Sequence, residues 1–455
     1  MKEKIVILGS GESGVGAAIL AVQKHYDVFI SDLGIISSNT KQELDELGVA
    51  FEEKKHTFDL IKKADTVVKS PGIPDNTPLI MDLIAQGIVV ISEIEFAFRH
   101  IAPNAKIIGI TGTNGKTTTA LLTYHLLKEA GLDVALAGNV GYSLAKRVSE
   151  KDYDFYVIEI SSFQLDGIIQ FKPNISVVLN ITSDHLDRYH HDFKKYVASK
   201  FRMVENVTAV SSFIYCADSS AVNEEVNERN IAASLFAVSA NPHSNKGAFI
   251  DKDYLIFNCG DHEKDRIPLM DIPLIGRHNM INAMSSALCA LMLEIPIKKV
   301  LEGMKSFKNV PHRLEMVAEI DQVKFINDSK ATNVDAVYYA LEGIKEPIIW
   351  IAGGIDKGND YSILDQCVAQ KVKGIVCLGI DNSKIENHFS GKVPFMGRAS
   401  STREAIQSAW EIASAGDVVL LSPACASFDL FTNYEDRGDQ FKKAVGALNL
   451  KSTSL

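Results

Sequence analysis

The sequence lacks a long apolar segment. No apolar run approaches the roughly 18 residues needed to span a membrane. The first four residues lead directly into an apolar strand candidate, which leaves no room for the apolar part of a signal peptide. We therefore expect a cytoplasmic protein that does not enter membranes.

Paired cysteines and an excess of positive charge are also missing. The six cysteines are scattered without a Cys-x-x-Cys pair, which favours reduced residues in the protein interior. The 47 basic residues are outnumbered by 57 acidic ones, and a net charge of −10 argues against a broad nucleic-acid-binding surface. An anionic substrate must therefore meet local groups of Lys and Arg.

The chain does contain many short apolar strands that alternate with helical stretches, a pattern typical of parallel α/β domains. Its 455 residues exceed what one hydrophobic core usually supports, at about 100 to 200 residues per domain. We expect three α/β domains, covering residues 1–97, 98–309 and 310–455. Their main strands are predicted at residues 5–8, 28–30, 66–69, 89–91, 107–110, 134–137, 155–160, 175–179, 324–326, 348–352, 374–378 and 418–421.

A glycine-rich turn follows the strand at residues 107–110 and ends in Gly115-Lys116-Thr117. Glycines allow backbone N–H groups to converge on phosphate oxygens, Lys116 supplies a cation, and the Thr117 hydroxyl can reach Mg²⁺. The general phosphate-loop pattern has a glycine five residues before Gly115, where this chain has Ile110. This chain has Gly112 inside the loop instead. The turn still favours ATP or GTP over a chance glycine-rich connection.

Another glycine turn opens the chain. Residues 9–14 satisfy Gly-x-Gly-x-x-Gly, and Asp32 ends the second strand about twenty residues later, as in a dinucleotide-binding fold. Residues 70–74 form a further turn at a strand's carboxyl end, where open parallel sheets place ligands. The first motif alone is weak, and it fits a dehydrogenase as well as any protein that binds a pyrophosphate there.

Ionisable residues cluster after two central strands. Glu159 ends one of them, where a carboxylate could bind the Mg²⁺ of a nucleotide. His185 lies in the polar run after the next strand and could bind a metal or position a phosphate. The helix predicted at residues 192–206 places Lys200 on its apolar face, where the side chain either reaches back to solvent or points inward. A desolvated lysine could react with carbon dioxide to form a carbamate that binds metal.

The whole series of motifs resembles the Mur ligase family in order and spacing. The motifs are residues 111–117, Gly138-Asn139-Val140-Gly141, Glu159 with residues 161–165, residues 184–188, Ser199-Lys200, His278-Asn279, His312-Arg313, and residues 327–333, 356–358 and 422–429. The resemblance implies an N-terminal Rossmann-like UDP-binding domain, a central P-loop-like ATPase domain and a C-terminal Rossmann-like domain. It also implies an ATP-dependent ligase that joins D-glutamate to UDP-N-acetylmuramoyl-L-alanine.

The resemblance assigns roles to residues in this chain. Catalysis is implied for Lys116, Lys200, His185 and Asn139, and metal binding for Thr117, Glu159, His185 and carbamylated Lys200, with two Mg²⁺ sites. ATP contacts are implied for Gly112, Thr113, Asn114, Gly115, Lys116, Thr117, Thr118, Asn279, Asn282, Arg313, Asp328 and Lys330. Substrate contacts are implied for Ser10, Gly11, Glu12, Ser13, Asp32, Ser70, Pro71, Gly72, Thr332, Lys357, Ser427 and Tyr434. We further expect a monomer.

Three alternatives compete with this interpretation. Another amide ligase of the same superfamily is the nearest, although folate ligases lack a separate UDP-binding domain at the start of the chain. A nicotinamide dehydrogenase would leave Gly115-Lys116-Thr117 unexplained. A UDP-sugar sensor without activity would leave Lys116, Glu159 and Lys200 without a purpose.

Overall fold

The computed structural model describes residues 2–259, 265–274, 276–308 and 310–452, with the side chains of residues 449–452 excepted. These residues form two compact units: Met1–Ile272 with Ile281–Phe307, and Pro273–Met280 with Lys308–Leu455. Asn309, the last residue of the expected central domain, lies outside the described residues. No helix in the described ranges is long and apolar enough to cross a membrane.

The first unit begins with a parallel sheet. Its strands are β1 (Lys4–Leu8), β2 (Asp27–Ser31), β3 (Ala50–Glu52), β4 (Thr66–Lys69) and β5 (Val89–Ser92), and its helices are α1 (Glu12–Gln23), α2 (Ser38–Glu46), α3 (Phe58–Ile61), α4 (Pro78–Ala85) and α5 (Glu93–Phe98). The strand order is β3-β2-β1-β4-β5. Central β1 is almost entirely buried because helices cover both faces of such a sheet. This confirms the predicted α/β fold.

A larger sheet follows in the same unit. Its strands are β6 (Lys106–Thr111), β7 (Val134–Gly138), β8 (Phe155–Glu159), β9 (Ile175–Val178), β10 (Ser212–Cys216), β11 (Ser234–Ser239), β12 (Gly247–Asp251), β13 (Tyr254–Asn258) and β14 (Asp265–Pro268). Within the described residues their order is β14-β13-β12-β11-β10-β9-β6-β8-β7, and the pairs β12–β13 and β13–β14 are antiparallel. Parallel β6 therefore lies between β8 and β9, so the three loops after these strands meet at one edge.

The helices that accompany this sheet are α6 (Lys116–Glu129), α7 (Leu144–Glu150), α8 (Ser162–Leu165), α9 (Phe193–Phe201), α10 (Ser220–Glu228), α11 (Arg277–Met292) and α12 (Ile297–Ser306). The predicted helix at residues 192–206 is shorter than expected. It ends at Phe201 and continues as the 3₁₀ turn Arg202–Val204, where the Arg202 side chain donates to the carbonyl oxygens of Asp166 and Ile168.

The second unit contains a third sheet, so each expected domain has a sheet of its own. The strands are β15 (Glu315–Ile320), β16 (Val323–Asn327), β17 (Ile348–Gly353), β18 (Val372–Leu378), β19 (Phe395–Ala399) and β20 (Val418–Ala424). The helices are α13 (Val334–Gly343), α14 (Asp365–Lys371), α15 (Ser383–Phe389), α16 (Thr402–Ile412) and α17 (Tyr434–Ser452). The order of the described strands is β15-β16-β20-β17-β18-β19, with β15 antiparallel to β16.

Candidate active site

The glycine-rich turn connects β6 to α6 in a conformation that only glycine adopts easily. Gly112 has φ 151° and Gly115 has φ 88°. A Cβ atom at Gly115 would also lie 2.4 Å from Oδ1 of Asn282, which packs against the turn and is 3% exposed. Both glycines are therefore required by the backbone path of the turn.

The loop after β9 holds this turn through hydrogen bonds. The backbone N–H of Thr113 donates to the Asn180 carbonyl oxygen at 2.7 Å, and the N–H of Asn114 donates to Asn180 Oδ1 at 2.9 Å. The Thr113 hydroxyl lies 3.1 Å from the hydroxyl of Tyr196 on α9. The turn is thus preorganised by its neighbours, and Thr117 and Thr118 are buried at the start of α6.

Two lysines meet at one carbonyl of this turn. The ammonium groups of Lys116 and Lys200 donate to the Gly112 carbonyl oxygen at 2.8 and 2.7 Å, and Lys116 also donates to the Thr113 carbonyl oxygen. Lys200 is only 1% exposed and therefore points inward. Burial, followed by repulsion from Lys116, lowers its pKa well below the ordinary value. The structure thus places a buried lysine with a lowered pKa beside the glycine-rich turn.

Glu159 lies at the end of β8 and is 1% exposed. Its Oε1 accepts a hydrogen bond from Asn139 Nδ2 at 2.9 Å, whereas Oε2 is buried without a hydrogen-bond partner. A buried carboxylate oxygen is costly when unpaired, and hard cations such as Mg²⁺ prefer such oxygens. Within the described residues, no group of three or more His, Cys, Asp or Glu side chains could hold a metal. The unpaired oxygen of Glu159 therefore fits a cation.

His185 is more exposed than the other predicted metal ligands. It adopts φ 52° just before a short 3₁₀ turn, and 47% of its side chain is accessible. Its ring packs edge-on against Phe163, with 5.3 Å between the ring centroids, and Nε2 lies 3.7 Å from Asp184 Oδ2. Its role as a metal ligand stays a prediction.

The first glycine turn and Asp32 form a compact hydrogen-bonded group. The backbone N–H and the hydroxyl of Ser10 both donate to Asp32 Oδ2 at 2.6 Å, and the N–H of Gly34 donates to Oδ1 at 2.7 Å. Burial alone would raise the pKa of Asp32, but these hydrogen bonds leave it below the ordinary value. Gly11 is the N-cap of α1, and Ser13 lies in its first turn.

The turn at residues 70–72 lies directly beside the first turn. A Cβ atom at Gly9 would lie 2.5 Å from the Ser70 hydroxyl oxygen. The guanidinium of Arg188 donates to the carbonyl oxygens of Pro71 and Gly72 at 3.1 and 3.3 Å. The structure therefore brings together the predicted substrate residues of both turns, and Glu12 additionally accepts a hydrogen bond from the Ser143 N–H at 2.6 Å.

In the second unit, Asp328 is buried at the end of β16. Its carboxyl group accepts hydrogen bonds from the Ser422 hydroxyl at 2.8 Å and the Leu314 N–H at 3.2 Å. Burial raises its pKa to about 7, although these bonds and the nearby charge of Arg313 oppose the rise. Arg313 also contributes, after burial, to a lowered pKa of about 4 for His278. The predicted residues Arg313 and Asp328 are thus neighbours.

Two other predicted residues of this unit, Lys330 and Tyr434, meet at the start of α17. The Lys330 ammonium sits 5.0 Å from the ring centroid of Tyr434, the first residue of that helix. Ser427 is buried, Thr332 is half-buried and Lys357 is exposed. Asn279 and Asn282, on α11, are both buried. No measurement joins all of these residues into one constellation, and their ligand contacts stay predictions.

Arg437 is a buried cation that sequence reasoning missed. It is 1% exposed and donates to the carbonyl oxygens of Ser329 and Cys425 at 2.9 and 3.2 Å, and to the Ser329 hydroxyl at 3.0 Å. Burial lowers its pKa to about 10. Arg437 therefore joins the loops after β16 and β20, both of which carry predicted ligand-binding residues.

Three family models match consecutive parts of the chain. They are the MurD N-terminal domain at residues 4–79, the Mur ligase middle domain at residues 110–290, and the Mur ligase, glutamate ligase domain at residues 312–425. The UDP-N-acetylmuramoylalanine–D-glutamate ligase of Cytophaga hutchinsonii is 48% identical over 98% of this chain and 99% of that protein. The ligase of the same name from Bacteroides fragilis is 44% identical over 98% of this chain and 100% of that protein.

Solved structures of lower identity share the fold. A pseudomurein peptide ligase type C from Methanothermus fervidus aligns with a TM-score of 0.61 at 20% identity, covering 98% of this chain and 100% of that one. A UDP-N-acetylmuramate-alanine ligase from Thermotoga maritima aligns with a TM-score of 0.60 at 17% identity, covering 98% and 99%. At these identities the likeness concerns the three-domain α/β architecture alone.

Proposed function

The chain belongs to the Mur ligase family, and we propose that it joins D-glutamate to the L-alanyl carboxylate of UDP-N-acetylmuramoyl-L-alanine at the expense of ATP. The observation that carries this proposal is the pair of lysines on the Gly112 carbonyl, next to the unpaired carboxylate oxygen of Glu159. A phosphate turn with two lysines and a buried carboxylate is suited to phosphoryl transfer. The names of the 44–48% identical relatives support the choice of acceptor and amino acid.

The chemistry requires a carboxylate to be activated, because oxide is too poor a leaving group for an amine to displace. We assign the turn at residues 112–118 to the ATP phosphates. A carboxylate oxygen of the acceptor attacks the γ-phosphorus, and ADP leaves. The amine nitrogen of D-glutamate then attacks the acyl carbon, loses a proton and expels phosphate. Lys116, which donates to the carbonyl oxygens of Gly112 and Thr113, would stabilise the charge on the transferring group.

Mg²⁺ fits the same place. Thr117 and Glu159 would hold one ion, since both are buried beside the turn and Glu159 Oε2 lacks a hydrogen bond. Bound there, the ion would neutralise charge on the phosphate oxygens. We propose a second ion with His185 and Lys200 as its protein ligands.

Lys200 is proposed to act as a carbamate. Carbon dioxide would add to the unprotonated Nζ, which loses a proton and becomes part of an anionic group. Burial and the charge of Lys116 both favour the neutral amine, and the carbamate would turn that repulsion into attraction. Lys200→Ala should lose activity, and added formate or acetate should partly restore it by supplying the missing carboxylate. No rescue by either anion would leave the carbamate unsupported.

Acceptor binding is assigned to the two turns of the first sheet. Ser10, Gly11, Glu12, Ser13 and Asp32, with Ser70, Pro71 and Gly72, would contact the uridine diphosphate. The N–H groups at the start of α1 suit a pyrophosphate. Asn139 is exposed and hydrogen-bonded to Glu159, and would lie near the reacting carboxylate.

The remaining contacts are assigned to the C-terminal domain and α11. Arg313, Asp328 and Lys330 would contact ADP, with Asn279 and Asn282 near adenine, and Thr332, Lys357, Ser427 and Tyr434 would contact D-glutamate. We retain the domain boundaries 1–97, 98–309 and 310–455. The proposal also places the enzyme in the cytoplasm, where ATP is available, and treats it as a monomer.

The decisive experiment measures phosphate released from ATP with UDP-N-acetylmuramoyl-L-alanine and one amino acid at a time. D-Glutamate should give release that depends on both substrates, whereas L-glutamate, L-lysine and meso-diaminopimelate should not. Replacing the acceptor by UDP-N-acetylmuramate, which lacks the alanyl carboxylate, is the matched control. Release that requires a different amino acid would reassign the enzyme within its family.

A further inference from the structure

A cavity of about 1010 Å³ opens in the first unit, apart from the residues assigned above. It is lined by Ile84 of α4, Val90 of β5 and Ala198 of α9, among others. None of the predicted catalytic, nucleotide-binding or substrate-binding residues lines it. Its volume is that of a site for a small organic molecule, which takes roughly 300 to 1,000 Å³.

Positive charge predominates in the wall. Five cations face three carboxylates, in a chain whose net charge is −10. The carboxylates are already engaged: Asp75 pairs with Lys69 at 2.9 Å, Glu205 pairs with Arg202 at 2.8 Å, and Asp166 accepts a hydrogen bond from Tyr189 at 2.9 Å. The cavity is therefore set up for an anion.

Two cations are left without a carboxylate. Lys195 is exposed on α9 and makes no ion pair within the described part of the chain. Arg188 donates to the neutral carbonyl oxygens of Pro71 and Gly72. An anionic group beside Lys195 and Arg188 would meet two uncompensated positive charges.

The same wall also offers apolar surface. The Arg188 guanidinium stacks on the half-buried Phe163 ring, 4.4 Å from the ring centroid. Ile84 leaves 56% of its surface exposed. Exposed apolar groups beside cations suit a ligand with an anionic head and a flat or apolar body.

We propose that this cavity binds a small amphipathic organic anion at a site separate from the ATP turn. Its wall is linked to the catalytic region by hydrogen bonds. The Tyr189 hydroxyl lies between Asp166 Oδ2 and Ser199 Oγ, at 2.9 and 3.2 Å, and Ser199 precedes Lys200 on α9. The wall of the cavity therefore includes the turn of α9 that carries Lys200.

The test uses the fluorescent anion 8-anilinonaphthalene-1-sulfonate as probe, with the full-length protein. Ala198→Trp should fill the cavity and weaken probe binding by at least about 10-fold, and Lys195→Ala should weaken it about 5-fold by removing one partly screened charge. Lys194→Ala is the matched control, because this lysine is exposed on the same helix but does not line the cavity. It should bind the probe as the wild type does.

Competition identifies the site that the probe occupies. Saturating UDP-N-acetylmuramoyl-L-alanine and a non-hydrolysable ATP analogue should leave the probe bound. Displacement by either ligand, or equal binding by the wild type, Lys195→Ala and Ala198→Trp, would overturn the proposal. Lys195→Ala keeps the test decisive if the tryptophan variant fails to fold.

Discussion

Replacing Glu93 by Gln should remove a pH-dependent loss of stability from the first unit. Glu93 is the first residue of α5 and only 2% exposed. Its Oε1 accepts a hydrogen bond from the Ala145 N–H at the start of α7, while Oε2 is buried without a partner. Burial, with repulsion from Glu12 as a smaller cause, raises its pKa from 4.5 to about 8 against the effect of the backbone hydrogen bonds.

The direction in which stability changes with pH follows from the protons that each state binds. Between pH 4.5 and 8 the folded state holds the Glu93 proton and the unfolded state does not, so stability falls as the pH rises across this window. At 1.36 kcal/mol per unit of pKa, the raised pKa of Glu93 lowers the free energy of unfolding by about 4 kcal/mol between pH 5 and pH 9. The Gln side chain of Glu93→Gln cannot ionise. The stability of this variant relative to the wild type should therefore increase by about 4 kcal/mol between pH 5 and pH 9.

Urea unfolding of both proteins at pH 5, 7 and 9 measures this difference in stability. Contributions from ionisable groups that both proteins share cancel in the difference. Hydrogen exchange of a peptide containing Ala145 gives a local readout, because this N–H donates to Glu93. Its protection should fall with pH in the wild type, after correction for the intrinsic exchange rate, and stay level in Glu93→Gln. A stability difference that does not change from pH 5 to pH 9 would refute the assignment of a raised pKa to Glu93.

Three further predictions concern activity. Lys116→Ala should lower phosphate release by about 10² to 10³-fold, because it removes charge stabilisation from the transferring group, and unchanged release would exclude that role. Glu159→Gln should raise the Mg²⁺ concentration for half-maximal activity by roughly 10-fold, because a neutral amide is a weaker ligand; an unaltered Mg²⁺ titration would remove Glu159 from the metal site. Arg437→Met should raise the KM for D-glutamate. It should also cost about 1 to 3 kcal/mol of stability, because two buried carbonyls lose their donor. An unchanged KM would limit the role of Arg437 to folding.

Buried parallel strands were the most predictable part of the fold. The strand predicted at residues 66–69 matches β4, and the other predicted strands differ from the observed ones by one to three residues at an end. In the sequence, such strands are continuous apolar runs with polar residues at their ends. Eight of the strands in the described residues were not predicted: β3, β10, β11, β12, β13, β14, β15 and β19. Among them, β13 and β14 form an antiparallel edge where buried and accessible residues alternate over only four or five positions.

The candidate site was predictable where local pattern decides orientation. Helical periodicity placed Lys200 on an apolar face but left open whether its side chain reaches solvent, and the structure shows that it is buried. Arg437 offered no such signal, because it lies in a charged stretch of α17 and its partner Ser329 is 108 residues away. Long-range hydrogen bonds of this kind depend on how loops meet, which a local pattern does not contain.

The opening glycine motif shows why a motif can predict geometry without identifying a ligand. A Cβ atom at Gly14 would lie 2.0 Å from the Gly9 carbonyl oxygen, so the close approach of α1 to the turn requires glycine whatever molecule binds there. The ligand is decided by side chains such as Asp32. In a dehydrogenase this carboxylate would accept hydrogen bonds from a ribose, but here three protein donors already occupy three of its roughly four acceptor positions. Asp32 therefore braces the loop, and the nucleotide contact proposed for it is left to its remaining acceptor position.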